Sequence, residues 1–338
     1  MRRLLLGLLF LLGKSAQADT GMVQIPGLEG DGQVTVYYPT SAKAEAHKRG
    51  PFTIQLAPGG TPQRGNGRLV ILSHGSGGNP WVHSNLAIAL VEAGFVAAMP
   101  EHRGDNFRDH SKPGPESWRR RPLEVSRAID AVARDARFAP LLSTDKVGVY
   151  GMSAGGHAAL SHAGGRWSPT TFRQHCERNI AEDFPACAGL ATDLKGDWWD
   201  PVKKRSVLWV LWWRFSDPAW QTHSDPRVWA VVAAVPYAAD FEMASLAQPR
   251  VPLGIVNAGK DIWLQPRFHA EAVLKACKTC VLVADLPTGG HGALLSPLPP
   301  GLTGNVGALL NDPPGFDRKL LPAVDRKIVE FFHKHLLP

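Results

Sequence analysis

The sequence predicts an α/β fold, with a mostly parallel central sheet and helices on both faces. Three observations carry that expectation. Short runs such as LVIL (Leu69 to Leu72), FVAAMP (Phe95 to Pro100) and VGVYG (Val147 to Gly151) carry no charged residue and are apolar nearly throughout. A strand covered on one face alternates apolar and polar residues, whereas one covered on both does not. Stretches of helical periodicity separate these runs, the order of a parallel sheet with crossover helices. Glycine-rich turns follow the strands, and ligands of such sheets bind at the carboxyl ends of strands.

Taken in order, the chain opens with Met1-Arg2-Arg3 and the apolar run Leu4 to Leu12. Ala16-Gln17-Ala18 then supplies a small-x-small cleavage site, so residues 1–18 read as a signal peptide and Asp19 as the mature start. A membrane span needs roughly 20 apolar residues, more than this run offers. The reading is an exported protein, periplasmic or secreted. Removing Arg2, Arg3 and Lys14 lowers the formal charge from +7 to +4. That scattered excess argues against a nucleic-acid partner.

Gly32 to Thr40 alternates and reads as a strand, and Phe52 to Leu56 as a second. A Gly/Pro-rich connection (58–67) leads into the Arg68 strand, which ends in His74-Gly75-Ser76-Gly77-Gly78. Trp81 to Ala93 is helical and stopped by Gly94. Phe95 to Asn106 is a buried strand followed by the polar loop EHRGDN, and Glu116 to Arg137 a helix.

Asp145 to Gly156, DKVGVYGMSAGG, organises the rest. A strand runs through Gly151-Met152-Ser153-Ala154-Gly155 into a helix of small residues, the setting in which G-x-S-x-G presents a nucleophile. Gly151 and Gly155 remove side chains that would collide at the turn. The helix start behind Ser153 points N–H groups and a positive dipole end at a developing oxyanion.

From 165 to 226 the pattern breaks. This stretch holds seven of the eleven tryptophans and reads as an inserted lid. Val202 to Phe215 within it is apolar almost all round, which favours a helix buried inside the insertion. The functional readings are an apolar wall for an acyl or aromatic substrate group, or a basic-aromatic surface for peripheral membrane contact. Cys176 and Cys187 can close a small disulfide loop there. Cys277 and Cys280 form a C-x-x-C at the end of a helix. A redox dithiol gains its low pKa at a helix start, so a structural disulfide is favoured. No second pair completes a zinc set, and no metal or cofactor is expected.

The sheet pattern resumes over Val228 to Phe241 and Val251 to Asp261. A helix (266–278) and the strand CVLVADL follow, then Gly289-Gly290-His291-Gly292. A Gly/Pro-rich loop (297–314) precedes a last helix over 323–335.

A serine nucleophile needs a base and an orienting acid, in the chain order Ser, Asp, His for this motif. His291 follows the last strand in a glycine loop and is the expected base. His74 reads as a turn brace, and His157 as a packed residue behind Ser153. Asp261 is the preferred acid because its Gly-Lys-Asp loop is the better strand end. Asp240 is the alternative, and Asp285 stands too close to its strand. The oxyanion donors are expected to be the N–H groups of Ala154 and Ser76, with Gly77 in reserve.

HGSGG, PEHRGDN, the arginine-rich helix, DKVGVYGMSAGG, NAGKD and GGHGALL together resemble the α/β-hydrolase superfamily. More narrowly, they resemble exported predicted dienelactone hydrolases related to platelet-activating-factor acetylhydrolases and polyester hydrolases. True dienelactone hydrolases use a cysteine where this chain has Ser153. The resemblance implies a serine carboxylic-ester hydrolase acting on a small-molecule or lipid-like ester without metal or organic cofactor. Two alternatives use the same residues differently: a serine peptidase or amidase, and a catalytically idle lipid-surface binding protein.

Overall fold

The computed structural model describes residues 18–338, so the signal-peptide reading falls on residues 1–17, outside the described residues. Ten strands form one sheet in the order β10-β9-β8-β7-β5-β6-β2-β1-β4-β3. They are β1 (Asp19–Ile25), β2 (Val34–Thr40), β3 (Glu45–Arg49), β4 (Phe52–Pro58), β5 (Leu69–Ser73), β6 (Val96–Pro100), β7 (Val147–Met152), β8 (Val228–Ala234), β9 (Leu253–Ala258) and β10 (Val281–Leu286). The six from β10 to β6 run parallel, and β2 pairs antiparallel with both β6 and β1. The expected α/β architecture with a mostly parallel sheet is therefore present.

Two strands were not legible from the pattern. β1 joins through a full antiparallel register with β2. β3, with the sequence EAHKR, is a largely exposed edge strand that among the described residues pairs with β4 alone. Neither has the apolar run that marks the central strands.

The helices are α1 (Ser84–Glu92), α2 (Pro115–Arg134), α3 (Ala154–His162), α4 (Pro169–Asn179), α5 (Phe184–Ala188), α6 (Asp200–Arg214), α7 (Ala270–Ala276), α8 (Gly304–Leu310) and α9 (Leu321–Leu336). Side chains of each central strand alternate between two apolar layers. Ile71 and Val149 face the layer of α2 and α3, whereas Val70, Leu72 and Tyr150 face that of α1 and α9. Gly148 lets α9 come close, since a Cβ there would sit 2.7 Å from the Phe332 ring.

Between α3 and β8 the chain leaves the sheet and returns to the same place. Trp167 and Gln221 bond each other's backbone, and Ser168 and Thr170 donate to the carbonyls of Asp240 and Asp217. A disulfide joins Cys176 to Cys187 within this excursion, and a second joins Cys277 to Cys280 at the start of β10. Both fit an exported chain. Among the described residues no helix is long and apolar enough to cross a membrane. Opening the Cys176–Cys187 link by Cys→Ser substitution at both positions should cost about 3 kcal/mol, the chain-entropy value for a loop of this length. A urea midpoint that does not move would exclude that contribution.

The helix at Val202 to Phe215 corrects the sequence-based expectation of burial. Only Leu211 of α6 and Phe215 behind it are buried among its apolar residues, and Trp209, Trp212 and Trp213 face outward. Its inner stripe of Val207, Leu208 and Leu211 satisfies the packing, so the tryptophans are left over on the other side.

Asp325 on α9 is buried, and among the described residues no cation lies within salt-bridge reach of it. Burial pushes its carboxyl from the ordinary 3.8 up to about 7, against a smaller opposing effect of Arg326. The folded state then holds a proton between about pH 4 and pH 7 that the unfolded chain has released. Stability contributed by this group is lost as pH rises through that window. Asp325→Asn should raise stability at pH 8 by roughly 2–4 kcal/mol and do little at pH 4. Urea unfolding at the two pH values checks this; equal effects at both would refute it.

Candidate active site

The strand order reverses at β5, whose neighbours β7 and β6 lie on opposite sides. A crevice opens at such a switch point, beyond the carboxyl ends of the two strands. Ser73 at the end of β5 is paired in register with Gly151 near the end of β7. The loop 74–78 and the turn at Ser153 therefore stand side by side.

Ser153 is held at φ 57°, ψ −118°, a left-handed conformation that costs a non-glycine residue of order 1–3 kcal/mol. The surroundings fix it there. Its N–H donates to Ala234, and its carbonyl accepts from His157 and Tyr237. The close approach explains both glycines. A Cβ on Gly151 would lie 2.0 Å from the Gly155 carbonyl oxygen, and one on Gly155 would lie 1.9 Å from that of Ser73.

His291 opens a 3-10 turn (His291–Leu294) after β10. Its Nε2 is 3.0 Å from Ser153 Oγ, and its Nδ1 is 2.7 Å from Asp261 Oδ2. The other carboxylate oxygen, Oδ1, accepts N–H bonds from Trp263 (2.9 Å) and Leu264 (2.8 Å). Asp261 is thus oriented by its own loop and presents one free oxygen to the imidazole. Nδ1–H donates to that oxygen, which leaves the Nε2 lone pair for the serine proton. Asp261 and His291 are each 2% exposed, whereas Ser153 reaches solvent. Trp263 lies beside His291, ring centres 5.2 Å apart and planes tilted by 41°.

The remaining candidates lie elsewhere. Asp240 accepts from His157 Nε2 at 2.9 Å, and both are fully buried. Asp285 accepts from Asn257. His74 donates Nδ1–H to the Gly75 carbonyl. A second Ser–His–carboxylate chain, Ser73–His102–Glu124, has 2.7 Å links at both ends, but all three residues are buried. It joins β5 to α2 through the interior.

Ala154 is the first residue of α3, so its N–H has no acceptor within the helix. Among the described residues neither that N–H nor the N–H of Ser76 is engaged by another protein group. Gly77, the reserve donor, is spent: its N–H bonds Asp105 Oδ1 at 3.1 Å. Asp105 also accepts from Ser76 Oγ (2.5 Å), Ser117 Oγ (2.6 Å) and Arg121 Nη2 (2.9 Å). Arg121 donates further to the carbonyls of His74 and Gly75. Burial alone would raise the Asp105 carboxyl; the Arg121 charge and these hydrogen bonds hold it well below the usual carboxylate range. Both residues are buried, and together they clamp the loop 74–77 from behind. Sequence reasoning gave them no role, since EHRGDN read only as a polar loop and Arg121 as one of several helical arginines.

Among the described residues no His, Cys, Asp or Glu cluster is arranged to hold a metal ion. A serine hydroxyl, an oriented imidazole and two open N–H groups form a set able to perform acyl transfer. No protein-family model matches the chain, and no curated protein matches it.

Proposed function

We propose that this chain is a serine carboxylic-ester hydrolase of α/β-hydrolase architecture, with the tryptophan-rich excursion as its lid. The observation that carries the reading is the hydrogen-bonded series Ser153–His291–Asp261 at the switch point of the sheet. Ser153 Oγ attacks the ester carbonyl while His291 Nε2 takes its proton. The carbonyl oxygen becomes an oxyanion held by the N–H groups of Ser76 and Ala154. Collapse of the tetrahedral intermediate breaks the ester C–O bond, and His291 returns the proton to the leaving alcohol. Water then attacks the acyl-enzyme, with His291 again as base.

Asp261 holds the imidazole in the required tautomer and stabilises its charged form. The excursion 168–220 supports a covering role because it starts and ends at one backbone bridge beside the Ser153 helix. It also packs Phe172 and Phe215 against Trp118 and Tyr237.

A fluorophosphonate probe tests the reading. Ser153 Oγ should displace fluoride, giving one phosphonyl adduct per chain in intact mass and mapping to the Ser153 peptide. A folded protein that stays unlabelled, or is labelled elsewhere, would remove the basis for it. Matched ester and amide substrates should then show the ester cleaved faster.

A further inference from the structure

A water-soluble surface rarely carries a continuous aromatic face without a partner. The excursion carries one. Trp198, Trp209 and Trp213 are 73%, 65% and 63% exposed, and Trp199, Trp212 and Trp220 are about half exposed. On α6 the order is the reverse of an ordinary surface helix. Leu211 points inward, and Val202, Trp209 and Trp213, spaced seven and four residues apart, share the opposite face with Trp212 beside them. Trp198 and Trp199 extend that surface at the helix start, their rings 4.0 Å apart.

Charge accompanies it. Residues 195–214 hold five basic residues and two acidic ones. Both acids, Asp197 and Asp200, are taken up by Lys203, and Asp217 by Arg119. Outside these pairs, Lys195 and Arg205 bring positive charge beside the tryptophan face, while Lys204 and Arg214 lie on the Leu211 side of α6 and the exposed Asp193 offsets one charge.

Tryptophan has an apolar body and a polar N–H, which suits it to the boundary between lipid chains and headgroups. Cations beside such a face are drawn to an anionic leaflet, and salt screens that attraction. A helix lying in the boundary plane, apolar face inward and lysine or arginine along its rim, has this composition.

We propose that the outward face of α6, with Trp198 and Trp199, docks the protein on an anionic phospholipid surface. The proposal does not rest on the esterase reading, because docking requires only this face.

The test is flotation of the mature chain with vesicles of phosphatidylcholine mixed with phosphatidylglycerol, beside vesicles of phosphatidylcholine alone. The chain should float with the mixed vesicles, its tryptophan emission should shift to the blue, and added salt should weaken binding. Joint replacement Trp209→Ser, Trp212→Ser and Trp213→Ser should lower partitioning about 10- to 100-fold. Trp229→Ser, at an exposed tryptophan on β8 stacked with Lys146, should leave it unchanged. All three exchanged side chains are solvent-facing, and an unchanged urea midpoint would show that the variant folds. Fluorophosphonate labelling, read in parallel, reports the esterase site independently of docking.

Absence of flotation overturns the proposal, as does full binding by the triple variant. Equal binding to neutral vesicles overturns it as well, since the occupant proposed is an anionic surface. Self-association that the triple variant abolishes, with no vesicle binding, would assign the face to a second copy. Uptake on a polyester film but on neither vesicle would assign it to a polymer surface.

Discussion

Asp261→Asn should lower kcat for ester hydrolysis about 10⁴-fold with little change in KM. The size follows from the loop. Asp261 Oδ1 is committed to the N–H groups of Trp263 and Leu264, so the amide oxygen of an asparagine must stay there. Its NH2 group then faces His291 Nδ1. Two donors cannot share that contact, so the imidazole moves its proton to Nε2. The nitrogen facing Ser153 becomes a donor and can no longer accept the serine proton. Asp240→Asn is the matched control. There His157 can keep its bond to the side-chain oxygen, and kcat should change by no more than about threefold, with any cost in stability about 1 kcal/mol. If Asp240→Asn proved the more damaging to kcat, the assignment of the acid would have to be reversed.

Asp105→Asn should destabilise the fold by about 3–5 kcal/mol and lower kcat about 10²–10³-fold. Arg121 is buried, and Asp105 is its ion-pair partner. Neutralising the partner leaves a desolvated guanidinium without its counter-charge. The catalytic loss is separate. Asp105 positions Ser76 and Gly77, and Arg121 fixes the carbonyls of His74 and Gly75, so the Ser76 N–H loses its fixed direction. Ser76→Ala removes only the hydroxyl bond and should cost far less in rate. Urea midpoints together with kcat, measured well below the unfolding transition, separate the two effects. A variant that is unstable yet fully active would show the clamp to be structural alone.

Much of this was legible in the chain, and the physical reason is local. A nucleophile turn needs glycines on both sides of one serine, and Gly151-x-Ser153-x-Gly155 states that need in five residues. Central strands such as β5 and β7 advertise themselves because both faces are covered. The acid was a choice between two strand ends, and the structure puts Asp261, not Asp240, beside His291. The clamp was not legible because it joins a loop, a helix and a second loop whose partners are up to 47 residues apart. α6 misled for a different reason. Apolar residues on nearly every face suggest burial, and composition alone does not say which face turns to solvent. β3 was missed because its charged residues carry no buried face.

That last strand has a further consequence. A ten-stranded sheet ends in rows of unpaired backbone groups, and any free row is a template on which a neighbouring chain can add. At this end the last strand is five residues long and reads Glu45, Ala46, His47, Lys48, Arg49. A second molecule adding parallel and in register would set Lys48 against Lys48 and Arg49 against Arg49 at strand spacing. β3 therefore works as a terminator: it closes the hydrogen-bonding row of β4 with a short, charged, solvent-facing strand that disfavours in-register stacking of further copies.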